Sequence, residues 1–248
     1  MINVCAVQLW SSKTHSPNDN RNHAIEVLEK AARTGGNDLI VLPEAVSMLC
    51  YPDDRPDFTY YDVAEDIPGP TSDAACSIAR SFDTNVVIGL IERRTNGCQN
   101  VTVVIERSGR IVGTYDKMHE PAICMDEQAA LEGNRAGIFD LDFGRIGVFV
   151  CWDLFYPEVT EELASRGCEL LVFPHLMSFA NERSQASLLR QRARETGLAI
   201  VAAGMRDAHN HNGSQDGIWP TVILNADGEI LIQTDRAGSD LARGKVTL

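Results

Sequence analysis

The sequence predicts an α/β domain in which two sheets pack face to face with helices on their outer sides. Short β-branched strands alternate with stretches of helical periodicity along the chain. The series strand, helix, strand, helix, strand runs twice, over Ile2–Leu90 and again over Ile146–Ala203. No linker, low-complexity tract or composition break interrupts it, so one domain over 1–248 is expected. The same pattern also permits a single doubly wound sheet.

Taken in order, Ile2–Leu9 is an apolar strand. Pro17 to Arg33 carries Ala24, Val27, Leu28, Ala31 and Ala32 on one helical face, closed by Gly35-Gly36. Leu39–Leu42 is a strand running into Pro43-Glu44. Thr71 to Phe82 is a helix with Thr71 as N-cap and Asp73 in the first turn. Val86–Ile91 is a strand, and Asn100–Glu106 with Ile111–Tyr115 forms a hairpin across "RSGR". The run Ile146–Val150 is a buried strand that ends on Cys151. Pro157-Glu158 opens a helix to about Arg166, with proline tolerated in the first turn and the acid at the positive end of the dipole. Strand Leu170–Phe173, a helix from Ser184 to Thr196, strand Ala199–Ala203 and the hairpin Val222–Asn225/Glu229–Ile232 across "ADGE" complete the series.

Composition narrows the function. The chain of 248 residues is 44% apolar and 23% charged, an ordinary globular balance able to bury a large core. Its net charge of −13, with Lys and Arg scattered outside "RQRAR", argues against a nucleic-acid or anionic-membrane surface. The opening "MINVCAVQLW" has no basic leader and no window is long and apolar enough to span a bilayer, so a cytoplasmic protein is expected. Seven cysteines (Cys5, Cys50, Cys76, Cys98, Cys124, Cys151 and Cys168), an odd number without a CxxC pair, read as reduced thiols. With no HExxH motif, and "HNH" at 209–211 read as a solvated loop, no metal is expected.

Three strand ends present reactive groups. Glu44 follows the strand at Leu39–Leu42, Lys117 follows Ile111–Tyr115, and Cys151 follows Ile146–Val150. Each has an ordinary explanation alone: a capping acid, a solvated lysine, a packed thiol. An acid, a cation and a thiol at three strand ends of one α/β domain are together a catalytic constellation.

"LPEA" around Glu44, "YDKMH" around Lys117 and "DFGRIGVFVCWDLFYPE" around Cys151 resemble the three signatures of the nitrilase superfamily, the carbon–nitrogen hydrolases, in order and in separation. "INVCAVQLW", "LLRQRARETGLAIVAAG" and "VILNADGEIL" resemble the family's first strand, its Arg-rich helix and its late hairpin. The resemblance implies a four-layer αββα sandwich that associates as a homodimer or higher homo-oligomer. It implies Cys151 as nucleophile, Glu44 as general base and Lys117 as electrostatic partner, with the Trp152 backbone N–H sharing the oxyanion, and it leaves no job for a cofactor. Many members carry a second glutamate between the lysine and the cysteine. Glu127 is the choice by its distance from Gly133, with Glu120 the competitor and Asp126 an alternative. "KMHEP" departs from the commoner Lys-x-His-Leu and implies a reshaped loop. Pro43 fixes the backbone before Glu44 and Gly147 allows close strand packing.

"FPHLMSFANERSQ" corresponds to the family's substrate-facing loop. Trp152, Phe155, His175, Met177 and Phe179 are candidate pocket residues, and Arg183 a candidate carboxylate anchor. Arg190, Arg192 and Glu195 are expected to staple a helix or the dimer. The sequence runs to Leu248, soon after the last strand expected, so a protein without the long C-terminal extension of aliphatic amidases and filament-forming nitrilases is expected. The expected activity is hydrolysis of a small linear amide or N-carbamoyl compound to acid plus ammonia, with water as co-substrate. A nitrilase working through a thioimidate is the alternative within the family, and a silent scaffold protein the alternative outside it.

Overall fold

In a computed structural model, residues 1–11, 16–48, 59–121, 130–176, 182–207, 221–234 and 241–248 are described. The first sheet is built from strands β1 (Ile2–Val7), β3 (Leu39–Val41), β4 (Asn85–Arg94), β5 (Gly97–Ile105), β6 (Ile111–Asp116) and β14 (Leu241–Val246), in the order β14-β1-β3-β4-β5-β6, with β7 (Ala130–Leu131) beside β5. The second contains β8 (Gly137–Leu141), β9 (Gly144–Val148), β10 (Leu170–His175), β11 (Ala199–Asp207), β12 (Val222–Leu224) and β13 (Ile230–Gln233), in the order β13-β12-β11-β10-β9-β8, with β2 (Leu9–Ser11) beside β11. The central pairs are parallel in both sheets: β1 with β3 and β3 with β4, β9 with β10 and β10 with β11.

Side-chain alternation along these strands sorts the core into layers. Val4, Ala6, Leu39, Val41 and Val87 meet Val148, Leu170, Val172, Ala199 and Val201 between the sheets. Their neighbours Cys5, Val7, Ile40, Val86 and Ile88 face the other way, onto helices α1 (Pro17–Arg33) and α3 (Pro70–Phe82). On the far side Phe149, Leu171, Phe173, Ile200 and Ala202 pack with Val159 and Leu163 of α4 (Pro157–Ser165) and Ala186, Leu189 and Ala193 of α5 (Glu182–Thr196). Helix, sheet, sheet, helix is therefore the layer order, and the doubly wound alternative is set aside.

Local chemistry agrees with most of the expected boundaries. α1 begins on a capping box in which Ser16 Oγ accepts from the Asp19 N–H and Asp19 accepts from the Ser16 N–H, a motif worth about 1 kcal/mol. It closes through Gly35 and Gly36, both in the left-handed region. A short helix, α2 (Tyr60–Val63), precedes α3.

Several boundaries differ. Gly69, not Thr71, caps α3: the Thr71 N–H donates to Glu65 Oε2 inside the first turn. The strand before Cys151 ends at Val148, and a 3-10 turn over Cys151–Phe155 separates it from α4. The chain also does not finish on the 222–233 hairpin, since β14 returns to pair antiparallel with β1. Gly147 serves helix-on-sheet packing, where an added Cβ would lie 3.1 Å from Leu163 of α4. Among the described residues no helix is long and apolar enough to cross a membrane.

Candidate active site

Glu44 leaves the end of β3 on a turn that wraps around Gly89 of β4. The Gly89 N–H donates to the Pro43 carbonyl at 3.1 Å, and the Val46 N–H donates to the Gly89 carbonyl at 3.0 Å. A Cβ on Gly89 would sit 2.5 Å from Glu44 Cα, so only glycine lets this turn close. Ala45 is held at φ 41°, a left-handed conformation that L-residues seldom adopt.

Lys117 follows β6 in the same manner. Its N–H donates to the Asn100 carbonyl at 3.0 Å, and its own carbonyl accepts from the Gly133 N–H at 2.8 Å. Gly133 is as constrained as Gly89, since a Cβ there would meet the Asp116 carbonyl oxygen at 2.1 Å.

Cys151 opens the 3-10 turn with φ 46°. Strain of this kind, about 1–3 kcal/mol, persists where the surroundings over-determine the backbone. The Asp153 N–H donates to the Val150 carbonyl, and the Val150 N–H returns a bond to Asp153 Oδ2 at 2.8 Å. From the helix side, buried Arg192 donates from Nε to the Leu154 carbonyl at 3.1 Å and pairs with Glu195 at 2.6 Å. The Arg192–Glu195 pair staples the helix, as expected, and Arg192 in addition fastens α5 to the cysteine turn, a contact the sequence did not announce.

The three strand ends converge. Lys117 Nζ donates to Glu44 Oε1 at 2.9 Å and to Glu120 Oε2 at 2.9 Å, all three side chains being shielded from solvent. Asn100 Nδ2 donates to Glu44 Oε1 at 2.7 Å, and the Leu176 N–H to Glu44 Oε2 at 2.9 Å. The Cys151 thiol completes the set, hydrogen-bonded to Glu44 and approached by the Leu176 N–H.

Electrostatics divides these groups. Burial alone would raise Glu44, but the Lys117 charge and the donors Lys117, Asn100 and Cys151 hold it below the usual carboxylate range. Burial opposes the Lys117 charge, yet Glu44 and Glu120 hold its ammonium well above its ordinary value. Burial raises Glu120 to about 7; Lys117 pulls it down, and the negative charge of Glu44 pushes it up. Burial and then Glu44 also drive the Cys151 thiol well above its ordinary value. The resting site therefore holds a thiol beside an ionised carboxylate. It does not hold the standing thiolate that an electropositive pocket would produce.

The remaining sequence candidates divide. Trp152 is on the surface with its ring edge-on to Phe155, centroids 4.9 Å apart. His175 is wholly buried and stacked on Phe173. Met177, Phe179, Asp126, Glu127 and the 209–211 loop lie outside the described residues, as does the side chain of Arg183 on α5. Among the described residues Glu120, the competitor, meets Lys117 beside Glu44. Sequence reasoning missed Gly89, Asn100, Gly133 and Leu176. All four act through long-range contacts to Glu44 or Lys117 that no local pattern announces.

A carbon-nitrogen hydrolase family model matches residues 3–248. The chain belongs to that family. It is 27% identical to a citrullinase of Francisella tularensis over 97% of this chain and 87% of that protein. It is 26% identical to the human omega-amidase NIT2 over 96% of this chain and 85% of that one. A carbon-nitrogen hydrolase from Helicobacter pylori superposes with a TM-score of 0.81 at 22% identity, covering 99% of this chain and 89% of its own. Members of the nitrilase superfamily thus share its fold, and its enzyme class is hydrolysis of carbon–nitrogen bonds other than peptide bonds.

Proposed function

We propose that this carbon–nitrogen hydrolase is a thiol amidohydrolase that cleaves a small linear amide or N-carbamoyl compound, releasing ammonia and leaving the acyl carbon on Cys151 as a thioester in the first case and a thiocarbamate in the second. The observation that carries this reading is the buried Glu44–Lys117–Glu120 cluster with the Cys151 thiol bonded to its ionised carboxylate. Because the thiol stays protonated at rest, attack requires its proton to leave as the S–C bond forms, and Glu44 is the base in contact with it. Lys117 and the Trp152 backbone N–H, an amide at the start of a 3-10 turn, hold the oxyanion. Glu44 then activates water to release the acid. The names citrullinase and omega-amidase among the relatives support an amide-like substrate.

Glu120 takes the role of proton donor to the leaving nitrogen and is reprotonated from Glu44 through Lys117, which is bonded to both carboxylates, so that Glu44 is again ionised when water attacks. Its Oε1 has no hydrogen-bond partner among the described residues, and with a pKa of about 7 it still carries a proton near neutrality. Activity should therefore fall as pH rises through about 7, where Glu120 loses that proton. Glu120→Gln is expected to lower kcat about 100-fold and to abolish that limb of the pH profile. A variant that keeps the limb would remove Glu120 from the proton transfer.

The reading is tested by ammonia release from a panel of amides, ureido compounds and nitriles, run with the protein and with Cys151→Ala. Release confined to the unmodified protein supports it, and the best substrate names the class. Release only from nitriles would move the enzyme to the thioimidate reaction. Silence across the panel would sink the hydrolase reading of this site and favour a scaffold role.

A further inference from the structure

One wholly buried charged side chain beside the site has no part in the chemistry above. Asp153 lies two residues beyond Cys151 and is 0% exposed. Its Oδ2 accepts from the Val150 N–H and from Tyr115 Oη, both at 2.8 Å. Its Oδ1 accepts from the His119 N–H at 3.0 Å and faces His119 Nδ1 at 2.9 Å. The His119 ring is itself fixed by stacking on Tyr156, centroids 3.5 Å apart and planes 7° from parallel.

The placement of these four partners is the telling feature. Val150 immediately precedes the nucleophile, while Tyr115 and His119 flank Lys117, two residues before it and two after it. One carboxylate therefore ties the cysteine turn to both sides of the lysine. We propose that Asp153 is the positioning residue that clamps the Cys151 turn to the Tyr115–His119 segment and so fixes the thiol against Glu44 and Lys117. The inference rests on Cys151 being the nucleophile.

The chemistry of the clamp accounts for the residue type. The two backbone N–H groups and the Tyr115 hydroxyl present hydrogens, and an ionised carboxylate can only accept from them. Facing it selects the tautomer in which His119 Nδ1 carries a hydrogen as well. An asparagine of equal size would turn an NH2 toward the backbone N–H of Val150 or of His119, neither of which can accept. A buried group left opposed in this way costs about 1–3 kcal/mol, comparable to the strain at Cys151. With its clamp spoiled, that residue has every reason to relax from φ 46° to ordinary backbone. The thiol then leaves Glu44. The Asp153 charge also helps to keep the proton on Glu120, after the larger effects of burial, Lys117 and Glu44.

The test reads the thiol directly. Carbamidomethylation of Cys151 by iodoacetamide is followed by peptide mass spectrometry across pH in the unmodified protein and in Asp153→Asn, with melting temperatures alongside. Relaxation carries the thiol out of its buried contact with Glu44, so the inflection should move down toward the ordinary thiol value. Each unit of that shift raises the thiolate fraction, and the neutral-pH rate, about tenfold. With a substrate from the panel, kcat should fall about 100-fold and KM should change little, since no substrate contact is lost. Faster alkylation with slower turnover is a signature that general destabilisation does not produce. An Asp153→Asn protein that melts earlier but alkylates with an unchanged profile overturns the proposal. If that variant does not fold, Tyr115→Phe removes one bond to the same carboxylate; a smaller downward shift supports the clamp and an unchanged profile refutes it. Alkylation needs no turnover, so the result stands apart from whether the panel yields ammonia.

Discussion

Glu44→Gln is expected to lower kcat about 1,000-fold or more while the protein still folds. Both Glu44 oxygens are met by donors, Asn100 and Lys117 on Oε1 and the Leu176 N–H on Oε2. A glutamine can satisfy one side and must oppose the other, yet the larger loss is chemical. An amide cannot accept the Cys151 proton, and the thiol, held well above its ordinary value, has no standing thiolate population to fall back on. Folding survives because Lys117 keeps a counterion. The negative charge of Glu44 is among the forces raising Glu120, so removing it lets Glu120 ionise more readily and neutralise Lys117 alone. Turnover measured beside the melting curve checks both halves. Activity within tenfold of the unmodified protein would exclude Glu44 as the base.

How far this site could be read in advance depended on the range of the interactions. Pro43 and the apolar runs before Glu44, Lys117 and Cys151 are local signals, and they brought three strand ends to one place. The layers were only partly legible: strands in which neighbours such as Val4 and Cys5 both face a core announce burial on both sides, which a doubly wound sheet shares, and the motif resemblance alone chose the sandwich. β14 escaped notice because "LARGKV" alternates small and charged residues, and its strand character comes from pairing with β1 more than 230 residues away in sequence. The need for glycine at Gly89 and Gly133 was equally hidden, being set by backbones that approach from Glu44 and Asp116. Glu120 illustrates the same limit. The turn after Lys117 folds back within three residues and brings Glu120 onto the ammonium, while Glu127, chosen by its spacing from Gly133, lies outside the described residues.

Lys117→Met should produce the largest stability loss, about 3–5 kcal/mol at neutral pH, because it leaves two buried carboxylates without their shared cation. The loss should also shrink as the pH falls. In the unmodified protein Glu44 is held below its unfolded value, so its stabilising share is present above the ordinary carboxylate range and fades as acid titrates it. In the variant the sign reverses. Glu44 and Glu120 lose the attraction of Lys117 and keep their burial and mutual repulsion, which places both above the unfolded carboxylate value of about 4.3. Groups raised in this way bind protons more tightly when folded, so the variant gains stability on acidification and loses it as pH rises. Melting temperatures of the two proteins should therefore converge toward about pH 5 and separate toward about pH 8, the interval that brackets Glu120. Parallel curves across that interval would mean that Lys117 supports the fold through the packing of its aliphatic stem, and that Glu44 and Glu120 are not held together by its charge.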